Sequence, residues 1–203
     1  SGDFTFKRKI MWDELKKNNL DRYGDKFEWT WKNLRKHFWY SRFLKKNGLW
    51  KEYKTTMRRY GFSNPASLLN FYYFLTFRQC CTPDNVLEIG AGGGVFALMV
   101  LNEFPVTSYT IVDLPEMLEV SKRMIAKYAP LKLHKVSFLT EVPNKKFDTC
   151  ININSFSEMD KETREAYLKK MQGIVFDVNY RRNGVNPFDF YEGNTLYWSE
   201  DRM

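Results

Sequence analysis

The chain has 203 residues, of which 43% are hydrophobic, 17% aromatic and 28% charged, and this balance excludes a disordered or fibrous protein. At roughly 150 residues per domain, the length allows one domain with an appendage. The formal net charge of +8 is unevenly placed, because residues 1–60 carry a net +10 and the other 143 residues a net −2. The longest apolar run, residues 95–101, is far too short to span a bilayer, and the N-terminus does not resemble a signal peptide, so we expect a cytoplasmic protein.

The basic N-terminal segment also holds five of the six tryptophans. Its apolar residues Phe27, Trp31, Leu34 and Phe38 recur at helical spacing, which predicts amphipathic helices with a cationic outer face. Such a face attracts the phosphates of a nucleotide sugar, an anionic lipid or a nucleic acid, or it is a solvated helix surface and nothing more. We expect residues 1–62 to form a helical extension that acts as a lid or binds an acceptor. His37 would reach the acceptor pocket if these helices form a lid, which makes it a candidate catalytic residue.

The organisation of the chain changes near residue 61. Asn64 can cap a helix that starts at Pro65 and runs to about residue 79. Beyond it, strands and helices alternate, which predicts a parallel, doubly wound sheet in a second domain, residues 63–203. The strands are predicted at 85–89, 108–113, 133–139, 147–154 and 174–179, and the helices at 95–102, 116–128 and 161–171. Residues 188–198 are predicted to form a closing hairpin; either it is short or the natural protein continues beyond Met203.

A glycine-rich turn follows the first strand of this domain. Gly90, Gly92 and Gly94 allow a tight turn and a close approach of backbone to ligand at the carboxyl end of a strand. Asp113 ends the next strand 23 residues after Gly90, near the spacing at which an acidic residue meets a ribose diol. The two signals together predict a nucleotide-type ligand; the alternative is a packing turn beside a chance aspartate.

The identity of the nucleotide depends on the residues around the turn. A dinucleotide fingerprint starting at Gly90 needs glycine at position 95, which is valine, although a shifted pattern of Gly92, Gly94 and Ala97 leaves an oxidoreductase open. Glu88 can hydrogen-bond the amides of the turn and stand near a cationic ligand, which a pyrophosphate site would avoid. S-adenosylmethionine, with its ammonium and sulfonium, therefore suits the site better.

These segments resemble a known family. Residues 86–94 and 111–115 resemble class I S-adenosylmethionine-dependent methyltransferases, over about residues 86–180. The stretches Asn64-Pro65, Tyr72-Tyr73, Arg78, 109–118 and 154–159 are more narrowly similar to the bacterial sugar O-methyltransferase family. The resemblance implies an α/β, Rossmann-like methyltransferase sheet with an N-terminal helical extension, and S-adenosylmethionine as the cofactor.

The resemblance also implies roles for individual residues. The cofactor would contact Glu88, Gly90, Ala91, Gly92, Asp113, Leu114 and Asn154, with Asp113 on the ribose hydroxyls and Leu114 against the adenine. The acceptor would contact Tyr72, Arg78, Ser155 and Asn179. Many relatives hold the adenine amine with an acidic residue after the third strand, and residues 137–140 contain none, so recognition of the adenine stays open.

The segment after the fourth strand should meet the transferred methyl group. Residues 154–159 replace the Asn/Asp-Pro-Pro-aromatic turn that enzymes methylating the amino groups of bases share, which argues against that reaction. Glu158 is the preferred general base or acceptor ligand, because a hydroxyl must lose its proton as it is methylated. The alternative is that Glu158 stabilises the first turn of a helix capped by Ser157 or Asp160.

The sequence therefore predicts a cytoplasmic O-methyltransferase acting on a sugar hydroxyl of a nucleotide-linked or lipid-linked precursor of surface polysaccharide. Methyltransferases for another small molecule or for nucleic acid, and a methyltransferase-like module that binds without catalysis, remain alternatives. Peripheral membrane contact is compatible with the basic segment, and nucleic acid is the less favoured partner. The three cysteines include no pair separated by two residues, so we expect reduced thiols and not a disulfide framework or a zinc site. The sequence also shows no cluster of Asp and His at the spacing of metal ligands, so no metal is predicted.

Overall fold

The computed structural model describes residues 31–61 and 65–179, and the side chains within these ranges except those of 31–37 and 65–66. The predicted cap at Asn64, the residues Phe27, Trp31 and Leu34 of the predicted apolar face, and the hairpin at 188–198 therefore lie outside the described residues or side chains. In the described ranges, no helix combines the length and the apolar character that crossing a bilayer requires.

Three helices precede the sheet, and strands and helices alternate after them. The helices are α1 (Trp31–Lys46), α2 (Trp50–Arg59), α3 (Pro65–Cys80), α4 (Val95–Glu103), α5 (Pro115–Tyr128) and α6 (Lys161–Leu168). The strands are β1 (Asn85–Ile89), β2 (Ser108–Val112), β3 (Val136–Leu139), β4 (Thr149–Ile153) and β5 (Ile174–Val178). Short 3₁₀ turns lie at Pro130–Lys135 and Phe156–Glu158.

The five strands form one parallel sheet in the order β3-β2-β1-β4-β5. The chain winds outward from β1 to β3, then returns to the other side of β1 and continues from β4 to β5. The prediction of a doubly wound α/β sheet is confirmed. In such sheets the connections after the two central strands leave in opposite directions, which opens a crevice between the carboxyl ends of β1 and β4.

The two faces of the sheet bury separate hydrophobic clusters. Val86 and Ile111 belong to a large cluster with α3, α4 and α5, whereas Leu87 and Ile89 belong to a smaller one with residues of α6. The alternation follows from the two-residue period of a strand, which sends neighbouring side chains to opposite faces. Both faces are covered, as expected for a parallel sheet.

Helices α1 and α2 pack into the same large cluster, through Tyr40 and Leu44 of α1 and Tyr53 and Met57 of α2. The predicted apolar face of α1 is wrong at Phe38, which is 66% exposed, while Tyr40 is 1% exposed. The two residues are about 200° apart around the helix, so burying one turns the other outward. The separation into an extension and a domain at residue 62 stays a prediction.

The third strand and the last helix differ most from their predicted bounds. The third strand starts at Val136 and not at Leu133, because Pro130 opens a 3₁₀ turn that continues to Lys135. The helix predicted over 161–171 ends at Leu168, before the turn in which Gly173 takes a positive φ of 76°. A side chain on Gly173 would collide with the backbone of Asp148, so the entry to β5 requires glycine.

Candidate functional site

The glycine turn lies at the carboxyl end of β1, as predicted. Gly90, Gly92 and Gly94 all have positive φ, of 74°, 56° and 72°, which favours glycine at each. Around Gly94, Ser121 of α5 would lie 3.1 Å from an added Cβ, so this glycine lets the helices pack closely. Around Gly92, by contrast, no atom of the residues that the structure describes lies within 4 Å of an added Cβ, apart from its chain neighbours. The backbone at Gly92 is therefore open to close approach by a ligand.

Asp113 follows β2 and reaches across to the glycine turn. Its Oδ2 accepts a hydrogen bond of 2.8 Å from the amide of Gly92, and its Oδ1 accepts one of 2.8 Å from the amide of Leu114. The carboxylate is thus fixed beside the open part of the turn. Leu114 is 41% exposed next to it, which offers an apolar surface at the same edge of the sheet.

Glu88 lies deeper than its predicted role implies. Its side chain is 2% exposed and its Oε2 accepts a hydrogen bond of 2.7 Å from the hydroxyl of Tyr109 on β2. Burial is the main cause that raises the pKa of Glu88 to about 7, and the charge of Asp113 acts in the same direction, while the bond from Tyr109 opposes them. The prediction that Glu88 bonds the amides of the turn is wrong, since Asp113 accepts the bond from Gly92. Its contact with the cofactor stays a prediction.

Asn154 begins the segment after β4 in a strained conformation. Its φ is 61°, which is uncommon for a residue with a side chain, and its amide donates a 2.6 Å hydrogen bond to the carbonyl of Val178. Its Oδ1 is buried and receives no hydrogen bond from the residues that the structure describes. A buried carbonyl oxygen without a donor is costly, so Asn154 fits the role of an acceptor for a donor group of a ligand.

Ser155 brings this segment into contact with the glycine turn. An added Cβ on Gly90 would overlap the Cβ and Oγ of Ser155. The two loops thus meet across the crevice between β1 and β4, which explains why Gly90 cannot carry a side chain. Ser155 is placed at the predicted edge, and its role toward an acceptor stays a prediction.

A network of amide side chains, which sequence reasoning missed, ties the loops together. Asn152 is fully buried; its Nδ2 donates to the carbonyl of Ile89 at 2.9 Å, and its Oδ1 accepts from Asn179 Nδ2 at 2.8 Å. Asn179 also donates to Asp177, and its Oδ1 accepts from the amide of Ser157 at 2.9 Å. Asn179 therefore holds the loop after β4, and its predicted contact with the acceptor would be additional to this role. The available signal was the polar residue at position 152 inside an apolar strand.

Glu158 ends the 3₁₀ turn after β4 and is exposed. The structure assigns the cap of α6 to Asp160, whose Oδ1 accepts a 2.8 Å hydrogen bond from the amide of Thr163. The acidic residue in the first turn of α6 is Glu162. The interpretation of Glu158 as a first-turn residue of that helix is therefore wrong, and its catalytic role stays a prediction.

The residues predicted to bind the acceptor from α3 lie in two different places. Tyr72 is half-buried, with its ring 5.9 Å from Trp39 and 5.3 Å from Phe43 of α1. Arg78 pairs with Glu52 at 2.6 Å and with Glu103 at 3.5 Å. Glu103 ends α4, whereas the glycine turn precedes that helix, so Arg78 lies at the opposite end from the turn. Both ion pairs occupy the guanidinium in this structure, and the predicted contact of Arg78 with the acceptor stays a prediction. The side chain of His37 lies outside those that the structure describes.

Comparison with known proteins identifies part of the chain. Residues 86–175 match the family model described as a methyltransferase domain. This segment, which is 90 of the 203 residues, is therefore similar to methyltransferase domains. Its cofactor is S-adenosylmethionine, and the open backbone at Gly92, the fixed carboxylate of Asp113 and the exposed Leu114 fit that molecule.

Individual relatives match more weakly. Malonyl-[acyl-carrier protein] O-methyltransferase 1 of Ilyobacter polytropus is 28% identical over 81 residues, which is 39% of this chain and 30% of that protein. The chain thus spans less than a third of this curated relative. Solved structures include the glycopeptide N-methyltransferase MtfA with S-adenosylmethionine, at 18% identity and a TM-score of 0.43, covering 49% of this chain and 43% of that one. The pyocyanin biosynthetic protein PhzM has 16% identity and a TM-score of 0.45, covering 55% and 34%.

Replacing Asp113 by Ala should weaken binding of S-adenosylhomocysteine by about tenfold or more. A carboxylate that bonds ribose hydroxyls contributes roughly 1.5–3 kcal/mol per hydrogen bond, and the variant also releases the amide of Gly92. Titration calorimetry measures the change. Asp160→Ala is the matched control, since it removes a carboxylate that caps α6 and should leave affinity unchanged. Unchanged affinity in folded Asp113→Ala would remove Asp113 from the site.

Proposed function

We propose that the whole protein transfers a methyl group from S-adenosylmethionine to a hydroxyl oxygen of a sugar, within a nucleotide-linked or lipid-linked precursor of a surface polysaccharide. The observation that carries the proposal is the segment after β4. It replaces the Asn/Asp-Pro-Pro-aromatic turn of enzymes that methylate the amino groups of bases, and it carries the exposed side chain of Glu158. A hydroxyl acceptor must lose its proton as it is methylated, so it needs a general base such as a carboxylate. A neutral amine can attack the methyl group through its own lone pair and does not need a base for that step.

The name of the curated relative supports oxygen as the methylated atom. That relative is an O-methyltransferase, and its name gives malonyl-acyl carrier protein as its substrate. The sugar rests on the family resemblance and not on the match over residues 86–175. The stretches that carry this resemblance are Asn64-Pro65, Tyr72-Tyr73, Arg78, 109–118 and 154–159.

The residues around the crevice have distinct tasks in this proposal. Asp113 would hold the ribose hydroxyls, Leu114 would lie against the adenine, and Gly90, Ala91 and Gly92 would border the rest of the cofactor. Asn154 would accept a hydrogen bond at its buried Oδ1. Bound there, S-adenosylmethionine would supply a methyl group on a positively charged sulfur.

The acceptor side of the crevice is formed by the loop after β4. Glu158 would take the proton of the acceptor hydroxyl on its carboxylate, and Ser155 would orient that hydroxyl. The amide pair Asn152–Asn179 keeps this loop fixed against β1 and β5. Holding the two loops at a constant separation is the main contribution that a protein makes to a displacement reaction of this type.

The cofactor half of the proposal has a direct test. S-adenosylhomocysteine in large excess should raise the Tm by about 5 °C or more, because a ligand that binds only the folded state stabilises it, whereas NAD should not. Differential scanning fluorimetry gives both values. Stabilisation by NAD but not by S-adenosylhomocysteine would overturn the cofactor assignment.

The acceptor half needs a separate experiment. Sugar nucleotides and lipid-linked sugars are incubated with the protein and S-adenosylmethionine, and mass spectrometry detects a gain of one methyl group. Methylation of single-stranded or duplex DNA in place of sugars would favour the nucleic-acid alternative. Cofactor binding without transfer to any of these acceptors would favour a non-catalytic module.

A further inference from the structure

Exposed cations are concentrated on the first two described helices. Residues 38–61 hold seven lysines and arginines, all exposed. The segment has one acidic residue, Glu52, and Arg78 neutralises it at 2.6 Å. The seven cations are Arg42, Lys45, Lys46, Lys51, Lys54, Arg58 and Arg59. This part of the surface is therefore strongly positive, in a protein whose residues beyond 60 carry a net charge of −2.

Two large aromatic side chains are exposed within the same region. Phe38 is 66% exposed on the outer side of α1, and Trp39 is 49% exposed beside Tyr72 of α3. Phe38, Arg42 and Lys45 follow at spacings of four and three residues, so they share one face of the helix. Trp39 is held in place by Phe43, whose ring stacks on it at 5.9 Å. We name Phe38, Trp39, Arg42, Lys45 and Lys46 the α1 surface.

An aromatic pair beside a row of cations matches the interface of an anionic membrane. Helices that lie in the plane of a bilayer carry Lys and Arg toward the headgroups and Trp or Phe toward the acyl boundary. Burial of these two rings against a partner would be favourable, because it removes apolar surface from water. The functional site does not use them, since the crevice lies between β1 and β4.

A single-stranded nucleic acid is the competing partner, because it also binds cations and aromatic rings. Its bases stack on free ring faces along a groove. On α1 Phe38 projects from a convex helix, whereas Phe43 covers one face of Trp39 and Tyr72 of α3 lies against its ring. A flat lipid surface suits this shape better.

We propose that the α1 surface binds the protein to membranes that contain anionic lipids. The interaction combines attraction of the cations to lipid headgroups with insertion of Phe38 and Trp39. It would place the crevice of the methyltransferase domain near a membrane, although the proposal does not depend on the identity of the acceptor.

The test is co-sedimentation of the whole chain with vesicles at low ionic strength. Vesicles of phosphatidylcholine with phosphatidylglycerol should bind the protein, and vesicles of phosphatidylcholine alone should bind it far more weakly. Phe38→Ser should weaken binding about tenfold through lost insertion. The triple variant Arg42→Glu, Lys45→Glu and Lys46→Glu should weaken it by roughly 100-fold or more.

Two matched controls separate this surface from general basicity. Leu131 is 84% exposed in the 3₁₀ turn before β3, so Leu131→Ser is the control for Phe38→Ser. Lys122, Lys146 and Lys169 are exposed on other elements, and their replacement by Glu is the control for the triple variant. Both controls should bind within a fewfold of the wild type, and circular dichroism verifies that every variant is folded.

Three results would overturn the proposal. The first is equal weakening by the control triple, which would indicate non-specific charge attraction. The second is binding at the wild-type level by both Phe38→Ser and the triple charge variant, which would show that the α1 surface does not bind the vesicles. The third is tight binding of single-stranded DNA with no binding to anionic vesicles, which would assign the surface to nucleic acid.

Discussion

Glu158→Gln should lower the turnover of methyl transfer by about 10²-fold or more, while the affinity for S-adenosylhomocysteine stays near that of the wild type. Glutamine keeps the size and the hydrogen-bonding capacity of glutamate but cannot take a proton, and a positioned general base contributes about 10²–10⁴-fold. Turnover is measured by mass spectrometry with the sugar acceptor that the screen identifies, and affinity by calorimetry.

Glu162→Gln is the matched control, because Glu162 lies in the first turn of α6, where the helix dipole favours a negative charge. This variant should lose about 0.3–1 kcal/mol of stability and keep its turnover. If Glu158→Gln behaves in the same way, the base lies elsewhere. His37 would then be the next candidate, followed by Asp177 on β5, which lies in register with Asn152.

The sheet and the glycine turn could be predicted because their signals are local. Apolar strands of five residues, the turn at Gly90 and the acidic residue at 113 depend on neighbours within a few positions. The structure then confirmed the doubly wound sheet, with the turn at the crevice where such sheets bind ligands.

The buried face of α1 could not be predicted in the same way. Apolar and aromatic residues occupy consecutive positions from Phe38 to Tyr40, and Phe43 and Leu44 follow, so two faces of the helix are equally apolar in the sequence. The choice between them depends on α3, which α1 contacts through Tyr40 and Leu44. Packing against a distant segment decided which rings are buried.

The polar contacts were missed for a related reason. Asn152 and Asn179 are 27 residues apart, and they meet because β4 and β5 pair with Asn152 opposite Asp177. Arg78 and Glu52 are 26 residues apart and meet because α2 packs against α3. Such pairs depend on strand register and helix packing, which the spacing of residue types does not contain.

Ionisation of Glu88 should make the stability of the protein fall as the pH rises from about 4.5 to about 7. The pKa of a free glutamate is near the lower value, and burial raises the pKa of Glu88 to about 7. Between these values the folded protein binds a proton that the unfolded chain has released, so raising the pH favours unfolding. The full effect is about 3 kcal/mol, reached above the upper value.

Glu88→Gln should remove this contribution, because glutamine keeps an acceptor for the hydroxyl of Tyr109 and cannot ionise. Urea unfolding at about pH 5 and about pH 8 gives the free energy of unfolding for both proteins. The wild type should lose about 2.5 kcal/mol more than the variant between the two conditions, since part of the effect is already present at about pH 5. Every other titrating group is common to both proteins, so the difference between their pH profiles isolates Glu88.

Tyr109→Phe provides the second variant, with the opposite expectation. It deletes the hydrogen bond that favours the charged form of Glu88, so the pKa of Glu88 should rise further and the fall in stability should extend to higher pH.

The pH profiles of the wild type, Glu88→Gln and Tyr109→Phe decide whether the ionisation of Glu88 changes on folding. Parallel profiles of the three proteins would show that it does not, which would contradict the burial of Glu88 beneath the glycine turn. A profile that is flattened by Glu88→Gln and displaced upward by Tyr109→Phe would establish that the buried carboxyl is neutral below its raised pKa. Because a cationic cofactor near this carboxyl would favour its charged form, the affinity for S-adenosylmethionine should then rise over the same pH window in which stability falls.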